Sequence, residues 1–310
     1  MAEKHSDIQK VSIIGMGALG LLYGGFISEV ASDIEVTYIM DADRYKKYAD
    51  RVIVNNGIEK TYHMVPVSRA AEADLVIVAV KYNGIMDALD LMEPCVGENT
   101  IIFSVLNGIS SEEIIAARYG MHKLIYTVAQ GMDAMKFGNV FQYTQMGHLH
   151  IGAATDSQKE NLERVKNFFE QLEMPYVEEA DIRYRMWSKF MLNVGVNQTC
   201  MVYGTTYSGV LEKGEPNLIM ISAMREVIAL ANAEGIPLSE VDINQYIGIL
   251  KTLSSEGTPS MGQDRINRKA SEVEMFAGTV INLAKKHDIY VPVNCFLYDR
   301  VKEIEKEYKK

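Results

Sequence analysis

The sequence predicts an α/β fold in which a parallel, doubly wound sheet is followed by an all-helical domain. Three observations lead to this prediction. Short apolar strands alternate with helix-like segments up to about residue 178, a glycine-rich turn follows the first strand, and the periodicity from residue 179 onward is almost wholly helical. We therefore divide the chain into residues 1–178 and residues 179–310. A length of 310 residues suits two domains better than one hydrophobic core.

The first domain is predicted from its alternating segments. Leu75–Val80 is a continuous apolar run, as expected of a strand that is buried on both faces of a sheet. The other predicted strands, with antiparallel pairs expected among the later ones, are Val11–Ile14, Ile34–Met40, Thr100–Val105, Leu124–Gln130, Val140–Thr144, His148–Gly152 and Tyr176–Val177. The predicted helices are Ala18–Val30, Gly84–Met92, Ser110–Tyr119 and Gln158–Leu172.

The second domain is predicted to contain helices throughout. Gly235–Pro237 and Ile289–Pro292 interrupt the helical periodicity and mark turns. Pro259–Asp264 is predicted to be a loop that leads towards Glu272. The helices expected in this domain are Asp181–Thr199, Asn217–Glu234, Ser239–Leu253, Glu272–His287 and Asn294–Lys306.

Charge and composition exclude several classes of protein. The net charge of −10 argues against a nucleic-acid partner, because phosphate contacts need a basic surface. Cys95, Cys200 and Cys295 lie far apart, so no disulfide framework is expected. The polar N-terminus and the short apolar stretches predict a cytoplasmic protein with no membrane partner. His148 and His150 alternate in a strand without a third ligand, so no metal site is expected.

A G-x-G-x-x-G motif lies directly after the first strand and opens a helix: Gly15-Met16-Gly17-Ala18-Leu19-Gly20. Gly15 permits a tight turn, Gly17 lets the backbone approach a pyrophosphate, and Gly20 lets the helix pack closely on the sheet. The free N–H groups of the helix then face the phosphate oxygens. The alternative is a glycine-rich turn with no ligand. The position of the motif predicts that residues 1–178 form a dinucleotide-binding domain of the Rossmann type.

Asp41 stands at the end of the second strand, where this motif expects an acidic residue. A carboxylate at this position binds the ribose 2′-hydroxyl of NAD and repels the 2′-phosphate of NADP, so Asp41 favours NAD. Arg44 follows three residues later and is suited to pairing with a 2′-phosphate instead. The alternatives are a helix N-cap for Asp41 and a solvated side chain for Arg44.

Two further residues follow buried strands. Lys81 ends the strand Leu75–Val80, and the carboxyl ends of parallel strands are where ligands bind in this fold. It is predicted to face the cofactor or the substrate, unless it is a surface lysine. Asn107 follows the next strand and offers an amide to the nicotinamide region or the substrate. Asn107-Gly108 is equally typical of a simple turn.

Lys189, Asn193 and Asn197 are spaced four residues apart and therefore share one face of a helix that is otherwise apolar. A lysine with two amides suits the carboxylate and the carbonyl oxygen of a small oxo acid. The alternative is an exposed polar face. Ser260 is suited to binding a carboxylate and Glu272 to holding Lys189 in place, although a loop hydroxyl and a surface carboxylate are the commoner roles.

These motifs together resemble the ketopantoate reductase (2-dehydropantoate 2-reductase) family over essentially the whole chain. The resemblance implies reduction of 2-dehydropantoate to (R)-pantoate with NADPH, a step in pantothenate biosynthesis. It implies that Lys189 is the general acid and that Glu272 supports it. It further implies that Lys81 and Asn107 line the cofactor and substrate site. The matching residues are Gly15–Gly20, Lys81, Asn107-Gly108, Trp187-Ser188-Lys189, Asn193, Asn197, Ser260-Met261, Gln263-Asp264 and Glu272.

The chain departs from the family at two positions that bear on function. The family commonly has arginine in the place of Asp41, and its members can carry a substrate-binding asparagine in the place of Tyr207. A related reductase of another 2-oxo or 3-oxo acid, using NADH, is therefore an alternative. A nucleotide-binding sensor without catalysis is a second one. The expected partner is a small 2-oxo acid, with a homodimer as the commonest oligomer. Arg268 and Lys269 add charge near Glu272 without an evident role.

Overall fold

The computed structural model describes residues 6–308. The chain divides into two compact units. The first extends through Asn107 and continues over Ser111–Ile182, and the second comprises Gly108–Ser110 and the chain from Arg183 onward. The division along the chain thus lies four residues beyond the sequence-based boundary at residue 178. The first unit is built around a mixed, mainly parallel sheet and the second is helical, which confirms the predicted fold class.

The strands of the first unit form two sheets within the described residues. The large sheet has the order β12-β11-β8-β7-β6-β1-β2-β5, in which β8 and β11 pair antiparallel and the other neighbours pair parallel. The small sheet has the order β4-β3-β10-β9. The strands are β1 (Lys10–Ile14), β2 (Glu35–Met40), β3 (Ile53–Asn55), β4 (Ile58–Lys60), β5 (Met64–Pro66), β6 (Ala73–Val78), β7 (Val96–Ser104), β8 (Leu124–Gln130), β9 (Met135–Phe137), β10 (Val140–Gln142), β11 (His148–Gly152) and β12 (Tyr176–Glu178).

Five α-helices accompany these strands within residues 6–182: α1 (Ala18–Val30), α2 (Ala42–Tyr48), α3 (Ile85–Met92), α4 (Ser111–Tyr119) and α5 (Lys159–Gln171). Helix α1 packs closely on β2 because Gly24 has no side chain. A β-carbon at this position would lie 2.3 Å from the hydroxyl oxygen of Tyr38. That hydroxyl donates to the Gly20 carbonyl at 3.0 Å. The first turns of α1, which follow the glycine loop (residues 15–20), are therefore fixed to the sheet.

The helices of the second part of the chain are α6 (Ile182–Tyr203), α7 (Tyr207–Leu211), α8 (Glu215–Ala233), α9 (Glu240–Leu250), α10 (Ser260–Ile266), α11 (Thr279–His287) and α12 (Pro292–Glu307). A π-helix over Glu274–Gly278 precedes α11. The prediction of a loop over Pro259–Asp264 is wrong, because Ser260 begins α10. Pro259 ends an extended segment there, and its carbonyl accepts from the Gln263 amide at 3.0 Å.

Helix α6 is fixed by its neighbours in the second unit. The Gln198 side chain is fully buried. Its oxygen accepts from the Ala277 amide in the π-helix at 3.1 Å, and its nitrogen donates to Asn294 in α12 at 3.3 Å. Buried amides of this kind specify a single packing arrangement, because breaking one bond leaves a polar group without water. The two bonds tie α6 to the π-helix and to α12.

Gly195 allows helix α8 to approach α6 closely, which predicts a change in stability. A β-carbon at Gly195 would lie 2.6 Å from Cγ of Met224 and 3.0 Å from the Met220 carbonyl. We expect Gly195→Ala to lower the free energy of unfolding by about 1–3 kcal/mol through overpacking, measured by urea unfolding. Gly248 in α9 is exposed and has no atom within 4 Å of a β-carbon. The control Gly248→Ala should raise that free energy by about 0.5–1 kcal/mol. A Gly195→Ala protein as stable as the control variant would contradict the packing argument.

Candidate functional site

The glycine loop has the backbone geometry of a phosphate site. Gly15 has φ +108°, and a β-carbon there would lie 2.5 Å from the Ala79 carbonyl. A β-carbon at Gly20 would lie 2.0 Å from the Gly15 carbonyl. Neither position accepts a side chain. Gly17 is exposed and is the N-cap of α1, whose first turn has no side-chain cap. The amides at the start of α1 are thus suited to an anionic group, and the loop fits a dinucleotide pyrophosphate.

The carboxyl ends of three neighbouring strands meet beside this loop. The Ala79 amide, just after β6, donates to the Ile14 carbonyl of β1 at 2.8 Å. The Val105 amide, just after β7, donates to the Val78 carbonyl at 2.9 Å. Gly15, Lys81 and Asn107 therefore follow adjacent strands at one edge of the sheet, as predicted for ligand-binding residues.

Lys81 and Asn107 do not end their strands directly, because each lies three residues beyond the last residue of its strand. Strand β6 ends at Val78, three residues before the exposed Lys81, which caps a short 3₁₀ turn over Tyr82–Gly84. Asn107 is half-buried, and Gly108 follows it with φ +91°. The chain thus bends at Asn107-Gly108, three residues beyond the end of β7 at Ser104.

Asp41 is the N-cap of α2. Its Oδ1 accepts from the Arg44 amide at 2.8 Å, and its Oδ2 lies 3.3 Å from Nε of Arg44. The Arg44 side chain is 62% exposed. The sequence offered a ribose contact and a helix cap as alternatives for Asp41, and the structure shows the cap. Because Arg44 pairs with the carboxylate, the negative charge at the end of β2 has a cation beside it.

The second unit carries the predicted lysine and amides on one face of α6. Asn193 and Asn197 are buried, at 8% and 7% exposure, and Lys189 is half-buried. The Asn197 amide nitrogen donates to the Ser260 hydroxyl at 3.2 Å. The first residue of α10 is thereby held against α6, and the structure brings Asn197 and Ser260 together as a polar pair.

The charge of Lys189 is destabilised by its surroundings. Burial first, and then the neighbouring charge of Arg185, lower the pKa of Lys189 from 10.5 to about 8, while the carboxylate of Glu272 acts in the opposite direction. Glu272 lies just before the π-helix, and its carbonyl accepts from the Phe276 amide at 3.2 Å. Lys189 and Glu272 thus interact electrostatically, as the sequence-based pairing requires.

Arg185 is a charged group that the sequence-based site omitted. It precedes Lys189 by four residues, so it lies one turn earlier on the same face of α6. The sequence does contain a pattern that could have identified it. A polar residue recurs at every fourth position along α6, at Arg185, Lys189, Asn193 and Asn197. We call these four residues the polar face of α6. Arg185 gives this face a permanent positive charge beside the lysine.

Two other positions flagged in the sequence are fixed by local contacts. Tyr207 begins α7, is half-buried, and its amide donates to the Gly257 carbonyl at 2.9 Å, shortly before Ser260. Arg268 donates to the Glu307 carbonyl at 2.8 Å and lies over the ring of Tyr308, with Cζ 5.5 Å from the ring centroid. The charge of Arg268 therefore has a structural role at the end of α12.

His148 and His150 lie side by side on β11, with ring centroids 4.7 Å apart. Nδ1 of His150 lies 2.5 Å from Oε1 of Glu179. Across residues 6–308, no cluster of three or more histidine, cysteine, aspartate or glutamate side chains has the arrangement of a metal site. In the same range, no helix has the length and apolar character needed to cross a membrane.

This combination of fold and functional groups is that of a nicotinamide-dependent oxidoreductase. The family model "Ketopantoate reductase PanE/ApbA" matches residues 11–156, and its C-terminal counterpart matches residues 181–305. The chain belongs to the ketopantoate reductase family, which confirms the predicted resemblance.

The chain is also similar to one curated protein and to two solved structures, which share its fold. The 2-dehydropantoate 2-reductase of Streptococcus pyogenes serotype M3 is 24% identical over 292 residues, covering 91% of this chain and 93% of that protein. A PanE/ApbA family ketopantoate reductase from Ralstonia eutropha JMP134 has the same fold, with a TM-score of 0.82, 22% identity, and coverage of 97% of this chain and 100% of that chain. A D-mandelate dehydrogenase with NADH and anilino(oxo)acetate has a TM-score of 0.84 and 20% identity, covering 97% of this chain and 99% of that chain.

The opposing influences on Lys189 predict opposite shifts in two variants. Arg185→Met removes the neighbouring cation, so the pKa of Lys189 should rise. Glu272→Gln removes the neighbouring carboxylate, so the pKa of Lys189 should fall. Both shifts are measured by NMR titration of the Lys189 side chain, assigned with Lys189→Arg. Arg183→Met, which removes an exposed arginine two residues before Arg185, should leave this pKa unchanged. Shifts of the same sign in the two variants would refute this electrostatic account.

Proposed function

We propose that this enzyme reduces 2-dehydropantoate to (R)-pantoate with NADPH, as a step in pantothenate biosynthesis. The observation that carries the proposal is the polar face of α6. A half-buried lysine with a lowered pKa lies on it, with buried Asn193 and Asn197 further along and Ser260 bound to Asn197. The family supports the same assignment, since the Streptococcus pyogenes relative bears the name of this activity.

Lys189 is the general acid in this proposal. Reduction of a 2-oxo acid at C2 places negative charge on the carbonyl oxygen, which must receive a proton. An ammonium group stabilises that charge and supplies the proton. With a pKa of about 8, Lys189 is mostly protonated at neutral pH and releases its proton more readily than an ordinary lysine. The carboxylate of Glu272 favours the charged form and so opposes the lowering of the Lys189 pKa.

The amides and the hydroxyl orient the substrate. Asn193 and Asn197 provide buried donors and acceptors, and the bond from Asn197 to Ser260 fixes the position of both groups before the substrate arrives. Arg185 adds a permanent positive charge to the same face, which favours an anionic substrate such as an oxo acid. An uncharged carbonyl compound lacks the carboxylate that this charge would attract.

The first unit would hold the cofactor through the glycine loop, with Lys81 and Asn107 at the adjacent strand ends. A bound nicotinamide would supply the hydride. NADPH is the proposed cofactor because the exposed guanidinium of Arg44 is suited to the 2′-phosphate, while its pairing with Asp41 offsets the carboxylate charge.

Removal of the Lys189 amine tests the proposed acid. Lys189→Ala should lower kcat with 2-dehydropantoate by roughly 10²- to 10⁴-fold, because the proton donor is lost. The affinity for NADPH, measured by fluorescence titration, should stay at the wild-type value. In the wild type, kcat/KM for reduction should be level below pH 8 and fall above it, since deprotonation of Lys189 removes the acid. The exposed Lys213 provides a control, Lys213→Ala, which should retain full activity. A Lys189→Ala enzyme with near-normal kcat would exclude the acid role.

A second candidate is a related reductase of another small 2-oxo or 3-oxo acid that uses NADH. Tyr207 favours it, because a half-buried aromatic ring stands where family members can carry a substrate-binding asparagine. Asp41 also favours it, and the similar D-mandelate dehydrogenase is described with NADH. A steady-state panel of 2-oxo acids with straight, branched and aromatic side chains separates the two candidates. A kcat/KM that is highest for 2-dehydropantoate supports the first, and one that is highest for any other oxo acid of the panel supports the second.

The pairing of Asp41 with Arg44 predicts how cofactor preference responds to substitution. Asp41→Asn retains an N-cap acceptor while removing the charge, so it should raise the ratio of kcat/KM for NADPH to that for NADH. Arg44→Gln should lower the same ratio by about tenfold, through loss of one charge-assisted phosphate contact. Asp43 lies in the first turn of α2 and is exposed. Asp43→Asn serves as the control and should change the ratio little. An unchanged ratio in both test variants would show that neither residue reaches the ribose.

A further inference from the structure

Lys136 is turned inward on a strand whose apolar residues face out. Met135 and Phe137, its neighbours on β9, are each 48% exposed, whereas Lys136 is half-buried. The usual pattern for an edge strand is the reverse, since burying a lysine costs free energy and exposing apolar residues gains none. A reversal of this kind is expected where a residue serves function rather than stability.

The register of the small sheet directs Lys136 towards the core of the first unit. Lys136 pairs with Phe141 across the antiparallel strands β9 and β10, so the two side chains share one face. Phe141 is fully buried in the core. On this face, the Lys136 amino group reaches the glycine loop and donates to the Met16 carbonyl at 2.6 Å.

The charge of Lys136 is not neutralised by this bond, because its acceptor is a neutral carbonyl. An ammonium group has three N–H donors, and the bond to Met16 uses one of them. Burial and then the nearby charge of Arg51 lower the pKa of Lys136. Arg51 follows α2, and its guanidinium lies over the ring of Tyr48, with Cζ 5.0 Å from the centroid. Lys136, which contacts the glycine loop, and Arg51 repel each other, and an anion bound beside Lys136 would relieve that repulsion.

We propose that Lys136 is a cofactor-binding residue that contacts the pyrophosphate of the dinucleotide at the glycine loop, with Arg51 adding longer-range positive potential. The pyrophosphate is the group that this loop is built to approach, and it is common to NADPH and NADH. The inference rests on the cofactor part of the proposed function and is independent of which oxo acid is reduced.

The test compares variants of two lysines in the first unit. Lys136→Met removes the charge and the donor, and Lys136→Gln removes the charge but retains a donor for the Met16 carbonyl. Lys123→Met is the matched control, since Lys123 also donates to a backbone carbonyl, that of Gly97 at 2.7 Å, at the amino end of β7. Titration calorimetry gives the Kd of each protein for NADPH and for NADH, and the melting temperature shows that each variant folds.

We expect both Lys136 variants to bind NADPH and NADH more weakly by the same factor, roughly 10- to 100-fold, because one charge-assisted bond to the pyrophosphate is lost. Lys136→Arg should recover most of the affinity, and Lys123→Met should bind as the wild type does. Wild-type affinity in Lys136→Gln would overturn the proposal and leave Lys136 as a support of the loop. A loss confined to NADPH would also overturn it, by assigning the contact to the 2′-phosphate. A wild type that binds neither nucleotide would refute the cofactor part of the proposed function itself, whereas a binding wild type with unaffected variants refutes this inference alone.

Discussion

The fixed position of helix α6 is the constraint on which the chemistry of the second unit depends. Gly195 lets α8 pack against its backbone, and the buried Gln198 ties it to the π-helix and to α12. With α6 held in this way, its polar face cannot rotate away to relieve the burial of Lys189. The lowered pKa of that half-buried lysine is therefore a product of the packing around it.

The π-helix is an irregular backbone segment close in sequence to Glu272, the carboxylate that acts on Lys189. A π-helix is a rare element that is found disproportionately at functional positions. Here it runs over Glu274–Gly278, directly after Glu272. The Ala277 amide within it bonds to Gln198, so the segment that carries Glu272 is attached to the helix that carries Lys189. The backbone that follows Glu272 is thus held by the same buried amide that fixes α6.

The regular helices and strands and the spacing of the polar residues on α6 could be predicted from the sequence, because both follow from local residue patterns. Helix α1 begins and ends at the predicted residues, since a glycine loop and a run of small apolar residues leave little choice. Three strands of the small sheet, β3, β4 and β9, escaped prediction because they have three residues each, too few for a periodic signal, whereas β10 lies within the predicted strand Val140–Thr144. Lys136 was missed for a different reason. Its contact with Met16 joins residues 120 positions apart, and a local sequence pattern does not predict such a contact. The sequence offered both a ribose contact and a helix cap for Asp41, and the observed bond from the Arg44 amide was needed to identify the cap.

A net charge of −10 would ordinarily make a protein a poor host for anions. Each unit solves this locally by placing two cations together, Arg185 beside Lys189 in one and Arg51 beside Lys136 in the other. In each pair, the lysine is partly buried and its pKa is lowered, with burial as the larger cause and the arginine as the second. Cations packed in this way repel each other and are poorly solvated, so an arriving anion gains their attraction while relieving their repulsion. Under the two proposals above, local desolvation rather than total charge would let an acidic protein bind a carboxylate in one unit and a pyrophosphate in the other.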